Sequence, residues 1–123
     1  MPTALVLEDD RDLRQMFSEA LQASGFDVVS AGTVPEAIAL LADYSPQIAF
    51  VDMNLPDQQS GMDLVRYIRS QAHLVATKVV VVTANRQMQD IAEQMDIDLF
   101  LLKPVSIAEM LRLAQRLISQ TAC

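Results

Sequence analysis

The sequence predicts an α/β protein built on a parallel sheet with helices on both faces. Three observations carry this expectation. Short aliphatic runs alternate with segments of helical apolar period along all 123 residues. The clearest run, Val79-Val80-Val81-Val82, is apolar on both strand faces, as expected for a parallel strand covered by helices on both sides. The runs also end in polar residues, namely Glu8-Asp9-Asp10, Asp52, Thr83 and Lys103, where strands would reach a surface.

Ala4 to Leu7 forms the first predicted strand. Leu13, Met16, Phe17, Ala20 and Leu21 follow at helical spacing and predict one buried helix face, stopped by Gly25. Phe26 to Ser30 is a short second strand. Thr33-Val34-Pro35-Glu36 reads as a capping box with Pro in the first turn, and Val34, Ala37, Ile38 and Leu41 as that helix's apolar face. Tyr44-Ser45-Pro46 closes it. Ile48 to Asp52 is the third strand. The loop to Gly61 contains Pro56, and Ser60 is placed to cap a third helix with Leu64, Tyr67 and Ile68 inward. Lys78 to Thr83 is the fourth strand. Asn85 is placed to cap a fourth helix with Met88, Ile91, Ala92 and Met95 on its inner face. Leu99 to Leu102 is the fifth strand and runs into Lys103-Pro104. Ser106-Ile107-Ala108-Glu109 is a second capping box, before a helix with Ile107, Met110, Leu111, Ala114, Leu117 and Ile118 on one face. Strict alternation of strands and helices gives a flavodoxin-like (βα)5 doubly wound parallel sheet, strand order 2-1-3-4-5. The length fits one domain over residues 1–123.

Composition narrows the function. Half the residues are hydrophobic, with only four Phe, two Tyr and no Trp, so the core is aliphatic with Met as filler. Sixteen acids against nine bases give a net charge of −7, which speaks against direct nucleic-acid binding and fits a cation or a basic partner face. The single cysteine, Cys123, excludes an internal disulfide and fits a reducing compartment. No apolar run approaches the ~20 residues of a membrane span, and the start lacks a signal-peptide pattern. The expected location is the cytoplasm.

A parallel sheet gathers its strands' C-terminal ends on one edge, where ligands bind at the reversal of strand order. In the order 2-1-3-4-5 that point lies between strands one and three, where Asp9 and Asp52 would face each other. Carboxylates so close repel unless a cation offsets them. Mg²⁺ suits the position because it prefers hard oxygen ligands and needs only one or two carboxylates beside phosphate oxygens. Lys103 would supply positive charge to a phosphoryl group and Thr83 a hydroxyl donor. The set reads as a site for phosphoryl transfer to Asp52, where positioning and charge stabilisation do most of the catalysis.

These residues resemble the receiver domains of two-component response regulators. The resemblance rests on Leu5-Val6-Leu7-Glu8-Asp9-Asp10, Val51-Asp52-Met53-Asn54-Leu55-Pro56, Val82-Thr83-Ala84 and Phe100-Leu101-Leu102-Lys103-Pro104, and it covers the whole chain. It implies that Asp52 takes a phosphoryl group from a histidine kinase or phosphotransfer protein. It implies that Asp9 and Asp52 ligate Mg²⁺, with Glu8 helping through water and Asn54 through its backbone carbonyl. Lys103 and Thr83 would contact the phosphoryl group, Phe100 would be the ring coupled to movement of Thr83, and the Lys103-Pro104 bond would be cis. The implied activity is a phosphoacceptor switch rather than an enzyme acting on external substrates. A downstream protein or output domain would read a surface made by the fourth helix, fifth strand and fifth helix, and a homodimer is compatible with it. The chain ends about where that fifth helix should, as in a stand-alone receiver or the N-terminal part of a longer protein. It departs from the family pattern in having Phe100 where Tyr is frequent, a loop 56–61 one residue longer than usual, and Met95-Asp96-Ile97-Asp98 before the fifth strand in place of a Gly-Ala turn.

Two other functions fit the residues less well. A phosphatase of the haloacid dehalogenase type needs a general acid two residues after the nucleophile, and Asn54 stands there. A flavin or nucleotide carrier needs a phosphate-binding loop after the first strand, and three acids stand there. Asp10 and Asp12 read as loop and cap residues, and His73 as a surface residue.

Overall fold

The computed structural model describes residues 2–53, 61–84, 90, 94, 96–103 and 105–119. Among them, five parallel strands form one sheet of order β2-β1-β3-β4-β5: β1 (Thr3–Leu7), β2 (Asp27–Ala31), β3 (Ile48–Asp52), β4 (Lys78–Thr83) and β5 (Leu99–Leu102). The order is the one expected.

Strand alternation sorts the apolar residues onto two faces. On one face Leu5, Leu7, Ala49, Val51, Val79 and Val81 pack with α2 (Val34–Leu41) and α3 (Gly61–Ser70). On the other, Ala4, Val6, Ile48, Phe50 and Val80 meet Leu21 of α1 (Arg11–Ala23) and Met110 and Ala114 of the last described helix, α4 (Ile107–Ser119). β3 is buried over its whole length, Asp52 included. Burying each large aliphatic side chain contributes about 1.5–3 kcal/mol, so the central strands carry most of the core.

The helix ends follow the local chemistry. Asp10 caps α1, its carboxylate accepting from the Asp12 and Leu13 amides at 3.0 and 3.1 Å. At the other end Gly25 takes φ 98°, and the Phe26 and Gly25 amides close back on the Leu21 and Gln22 carbonyls. Thr33 caps α2 through the Glu36 amide at 3.3 Å. The expected reciprocal bond is displaced by one residue, because the Glu36 carboxylate accepts from the Gly32 amide instead. Ser106 caps α4 through the Glu109 amide at 3.0 Å.

Two expectations need correction. Met16 is 45% exposed. Each helical step turns by about 100°, and with Phe17 and Leu21 turned to the sheet, Met16 falls on the rim. Val65 lies outside the expected inner face of α3, Leu64, Tyr67 and Ile68, but is fully buried. His73 lies on the surface as expected, yet its Nε2 lies 2.7 Å from the carbonyl oxygen of Leu41. The cap expected at Ser60 and the helix expected from Asn85 fall outside the described residues, Asp90 and Gln94 apart.

Asp98 organises the start of β5. Its carboxylate accepts from the buried Val79 amide at 2.7 Å and from Arg69 at 3.1 Å, with Lys78 3.8 Å away. Arg69, on α3, also donates to the carbonyls of Asp96 and Thr77 at 2.6 and 2.9 Å. Asp96 and Asp98, within the departure at 95–98, are therefore part of a charged clamp joining α3, β4 and β5.

Asp98→Ala leaves the Val79 amide without this acceptor. It should cost about 1–3 kcal/mol in urea unfolding, as for a lost buried hydrogen bond to a charged group. Gly61 starts α3 so close to β3 that an added Cβ would collide with the Asp52 carbonyl oxygen, a backbone atom with little room to yield. Gly61→Ala should therefore destabilise by about 1–3 kcal/mol, as overpacking does, measurable as a lowered urea midpoint at unchanged slope.

Candidate functional site

The sheet delivers its acids and its cation to one edge. Glu8 and Asp9 follow β1, Asp52 is the last residue of β3, Thr83 ends β4, and Lys103 follows β5. Two backbone hydrogen bonds carry the ladder past these residues, from the Met53 amide to the Val82 carbonyl at 3.0 Å and from the Lys103 amide to the Thr83 carbonyl at 2.8 Å. The backbone on both sides of the site is thus fixed by the sheet.

Glu8 and Asp52 are each 3% exposed and Thr83 is fully buried, whereas Asp9 stands in solvent. One carboxylate oxygen from each of Glu8, Asp9 and Asp52 lies within 4.8 Å of the others. The Lys103 ammonium bridges two of these acids, donating to Glu8 Oε1 and Asp52 Oδ2 at 3.2 Å each. Glu8 is held at every polar atom. Its amide donates to the Ala31 carbonyl at 3.1 Å and its Oε2 accepts from the Asp10 amide at 3.2 Å. Its carbonyl accepts from Arg14 Nη1 at 2.9 Å.

Burial is the largest influence on Glu8. Together with the hydrogen bond to Asp52 and repulsion by it, burial pushes the Glu8 carboxyl up to about 7. The surroundings explain the desolvation: a cavity of about 20 Å³ beneath the acids is walled by Val6, Phe17, Phe50, Val82 and Met110. Burial pulls the Lys103 ammonium down, but the Asp52 and Glu8 carboxylates outweigh it and hold its pKa above the ordinary lysine value. Glu8 and Asp52 thus share one lysine with Asp9 beside them, and the donor set is made of hard oxygens, as a divalent cation such as Mg²⁺ requires.

The structure brings Glu8, Asp9, Asp52 and Lys103 together and ends the adjoining strand with Thr83. Phe100 is half-buried on the face shared with α2 and α3. Asn54 and Pro104 lie outside the described residues. Sequence reading missed Arg14 and the close approach of Gly61. Arg14 sits six residues after Glu8 in an exposed-looking helical pattern, and no signal in the sequence tied it to the acidic loop.

A family model for the response regulator receiver domain matches residues 4–115. The virulence transcriptional regulatory protein PhoP of Salmonella typhimurium strain LT2 is 36% identical over 124 residues, which cover 99% of this chain and 54% of PhoP. The chain therefore spans about half the length of the curated relatives it matches. Among solved structures, the receiver domain of a Francisella response regulator superposes with a TM-score of 0.87 at 24% identity, covering 98% of this chain and 99% of the other. The Thermotoga maritima response regulator TrrA, solved in complex with Mg²⁺-BeF, gives a TM-score of 0.83 at 21% identity, covering 95% of this chain and 99% of TrrA. These two likenesses speak to the fold, and the family rests on the matched model. Edge, acids and matched model agree that the chain belongs to the response regulator receiver domain family of two-component systems.

Proposed function

We propose that this domain accepts a phosphoryl group on Asp52 from a histidine kinase or phosphotransfer protein, in a Mg²⁺-dependent reaction, and thereby switches a partner-binding surface. The observation that carries this reading is the Lys103 ammonium shared at 3.2 Å between Asp52 and Glu8, beside Asp9, at the edge of the sheet.

A carboxylate oxygen of Asp52 attacks the phosphorus of the donor. The donor's P–N bond breaks, and the released imidazole regains neutrality by taking a proton. Lys103 turns from the carboxylates toward the oxygens of the incoming group and offsets their charge. Thr83, fixed at the end of β4, donates its hydroxyl to one of those oxygens. Asp9 and Asp52 would hold Mg²⁺ directly, Glu8 through water and Asn54 through its carbonyl. The ion supplies charge neutralisation of the acids and the phosphoryl oxygens. TrrA, whose structure contains Mg²⁺-BeF on the same fold, supports the assignment.

The domain acts on itself and is no enzyme for external substrates. Phosphorylation shifts a two-state equilibrium read through Thr83 and Phe100. The surface so changed would include β5 and α4, where Arg112 and Arg116 are exposed, while the helix expected from Asn85 to complete it lies outside the described residues, Asp90 and Gln94 apart. That surface would meet a downstream protein or output domain, or a second copy of the chain. The PhoP relatives are named as transcriptional regulators, and the net charge of −7 speaks against direct nucleic-acid binding by this domain. Among the described residues no helix is long and apolar enough to cross a membrane.

Incubation with Mg²⁺ and acetyl phosphate should give one labile phosphoryl adduct by intact mass spectrometry. Asp52→Ala should abolish it and EDTA should suppress it, while an adduct that persists in Asp52→Ala would sink the assignment. A second expectation comes from the crowding of acids. Because the Glu8 pKa is raised in the folded state from 4.5 to about 7, the folded chain binds more protons than the unfolded one between those values. Stability of the metal-free protein should therefore fall as pH rises through that window. Lys103, whose folded pKa is also raised, acts in the same direction at higher pH, its contribution being present below the ordinary lysine value and lost only above it. Glu8→Gln should remove the fall and raise metal-free stability at pH 7.5 by on the order of 1–3 kcal/mol, read as a higher Tm in EDTA.

A further inference from the structure

The acidic loop is held from outside by a residue that the proposed chemistry does not use. Arg14 lies in the second turn of α1 and donates from Nη1 to the Glu8 carbonyl at 2.9 Å. That carbonyl belongs to the Glu8-Asp9 peptide, so the bond sets the plane from which the Asp9 side chain departs. The other three polar atoms of Glu8 are fixed by Ala31, Asp10 and Lys103. Arg14 supplies the restraint seen on that peptide's carbonyl among the described residues.

Gly32 makes room for this bond. It follows β2, and its φ is not positive, so an L side chain meets no backbone strain there. A Cβ at Gly32 would lie 2.5 Å from Arg14 Nη1, with the guanidinium carbon at 3.5 Å, and no atom outside Arg14 stands among the three nearest. The guanidinium is the far end of a flexible side chain and would yield with little cost to the fold. In yielding it would leave the Glu8 carbonyl. Glu36, through the Gly32 amide, fixes the glycine itself at 3.3 Å. Bonds of this kind behind a metal site fix the direction of the ligands, and losing one typically costs ~10–100-fold in metal affinity.

We infer that Arg14 is a positioning residue for the acidic loop, orienting the Glu8-Asp9 peptide so that Asp9 faces Asp52 across the cation site, and that Gly32 is the space this guanidinium requires. The inference rests on the metal-dependent reading of the site above.

The test is a double-mutant cycle on the full chain, using Arg14→Met, Gly32→Ala and the pair. Mg²⁺ affinity is measured by calorimetry, and the amide shifts of Asp9 and Asp10 by NMR without metal. Arg14→Met should weaken Mg²⁺ binding about tenfold and move the Asp9 and Asp10 amides, with the remaining sheet amides unchanged. Gly32→Ala should reproduce both effects in the parent but add nothing in the Arg14→Met background. Unchanged affinity and amide shifts in Arg14→Met would overturn the inference, as would a Gly32→Ala loss of equal size in both backgrounds. A parent that binds no Mg²⁺ would remove the metal reading itself, a result separable from the other two because it appears before any substitution is made.

Discussion

Three carboxylates and one ammonium at the end of a parallel sheet set the terms for the rest of this molecule. Like charges within 4.8 Å of one another repel, and burial of Glu8 and Asp52 sharpens the cost by removing water. The fold must hold the acids against that repulsion. It does so with backbone together with the cationic side chains of Lys103 and Arg14. β3 is buried along its length, the ladder continues past Asp52 and Lys103, and each polar atom of Glu8 is engaged. The unfavourable cluster is tolerated because the strands carrying it are the most deeply packed in the sheet.

The plan of the fold was legible because period and strand-end chemistry are local signals. The four valines, the capping residues Thr33 and Ser106, and the acids closing the apolar runs each act within a few residues. Strand order followed from alternation and handedness. Glu8, Asp9, Asp52, Thr83 and Lys103 were legible together because a parallel sheet converts distant run-ends into neighbours. What stayed hidden depends on three-dimensional approach. Gly61 reads as a loop glycine until its position against the Asp52 carbonyl is known. Arg14 reads as a solvated helix residue until the loop before it folds back. Met16 kept the helical period but not the burial, because the period does not state how wide the contact face is. Asp98 was seen only as a departure from a family pattern, since its acceptors and donors come from α3 and β4.

The two edges of the sheet are built on opposite principles. At the C-terminal edge the acids outnumber the bases in contact with them. At the N-terminal edge Arg69 and Lys78 meet Asp96 and Asp98 in matched pairs, with backbone groups taking the remaining donors. The side with compensated charge needs no added ion, whereas the side with excess negative charge is the one that a cation would complete.

The clamp at Asp98 has a mechanical consequence for β5. This strand has four residues, and its entry is tied by a carboxylate to the Val79 amide and to Arg69. Its exit carries Lys103. A short rod fastened at its base resists sliding along its neighbour, since a shift of register would break the clamp and the ladder at once. The exit is tied as well, the Lys103 amide donating to the Thr83 carbonyl at 2.8 Å, so the strand is fastened at both ends and the Lys103 side chain is carried on a backbone of fixed register.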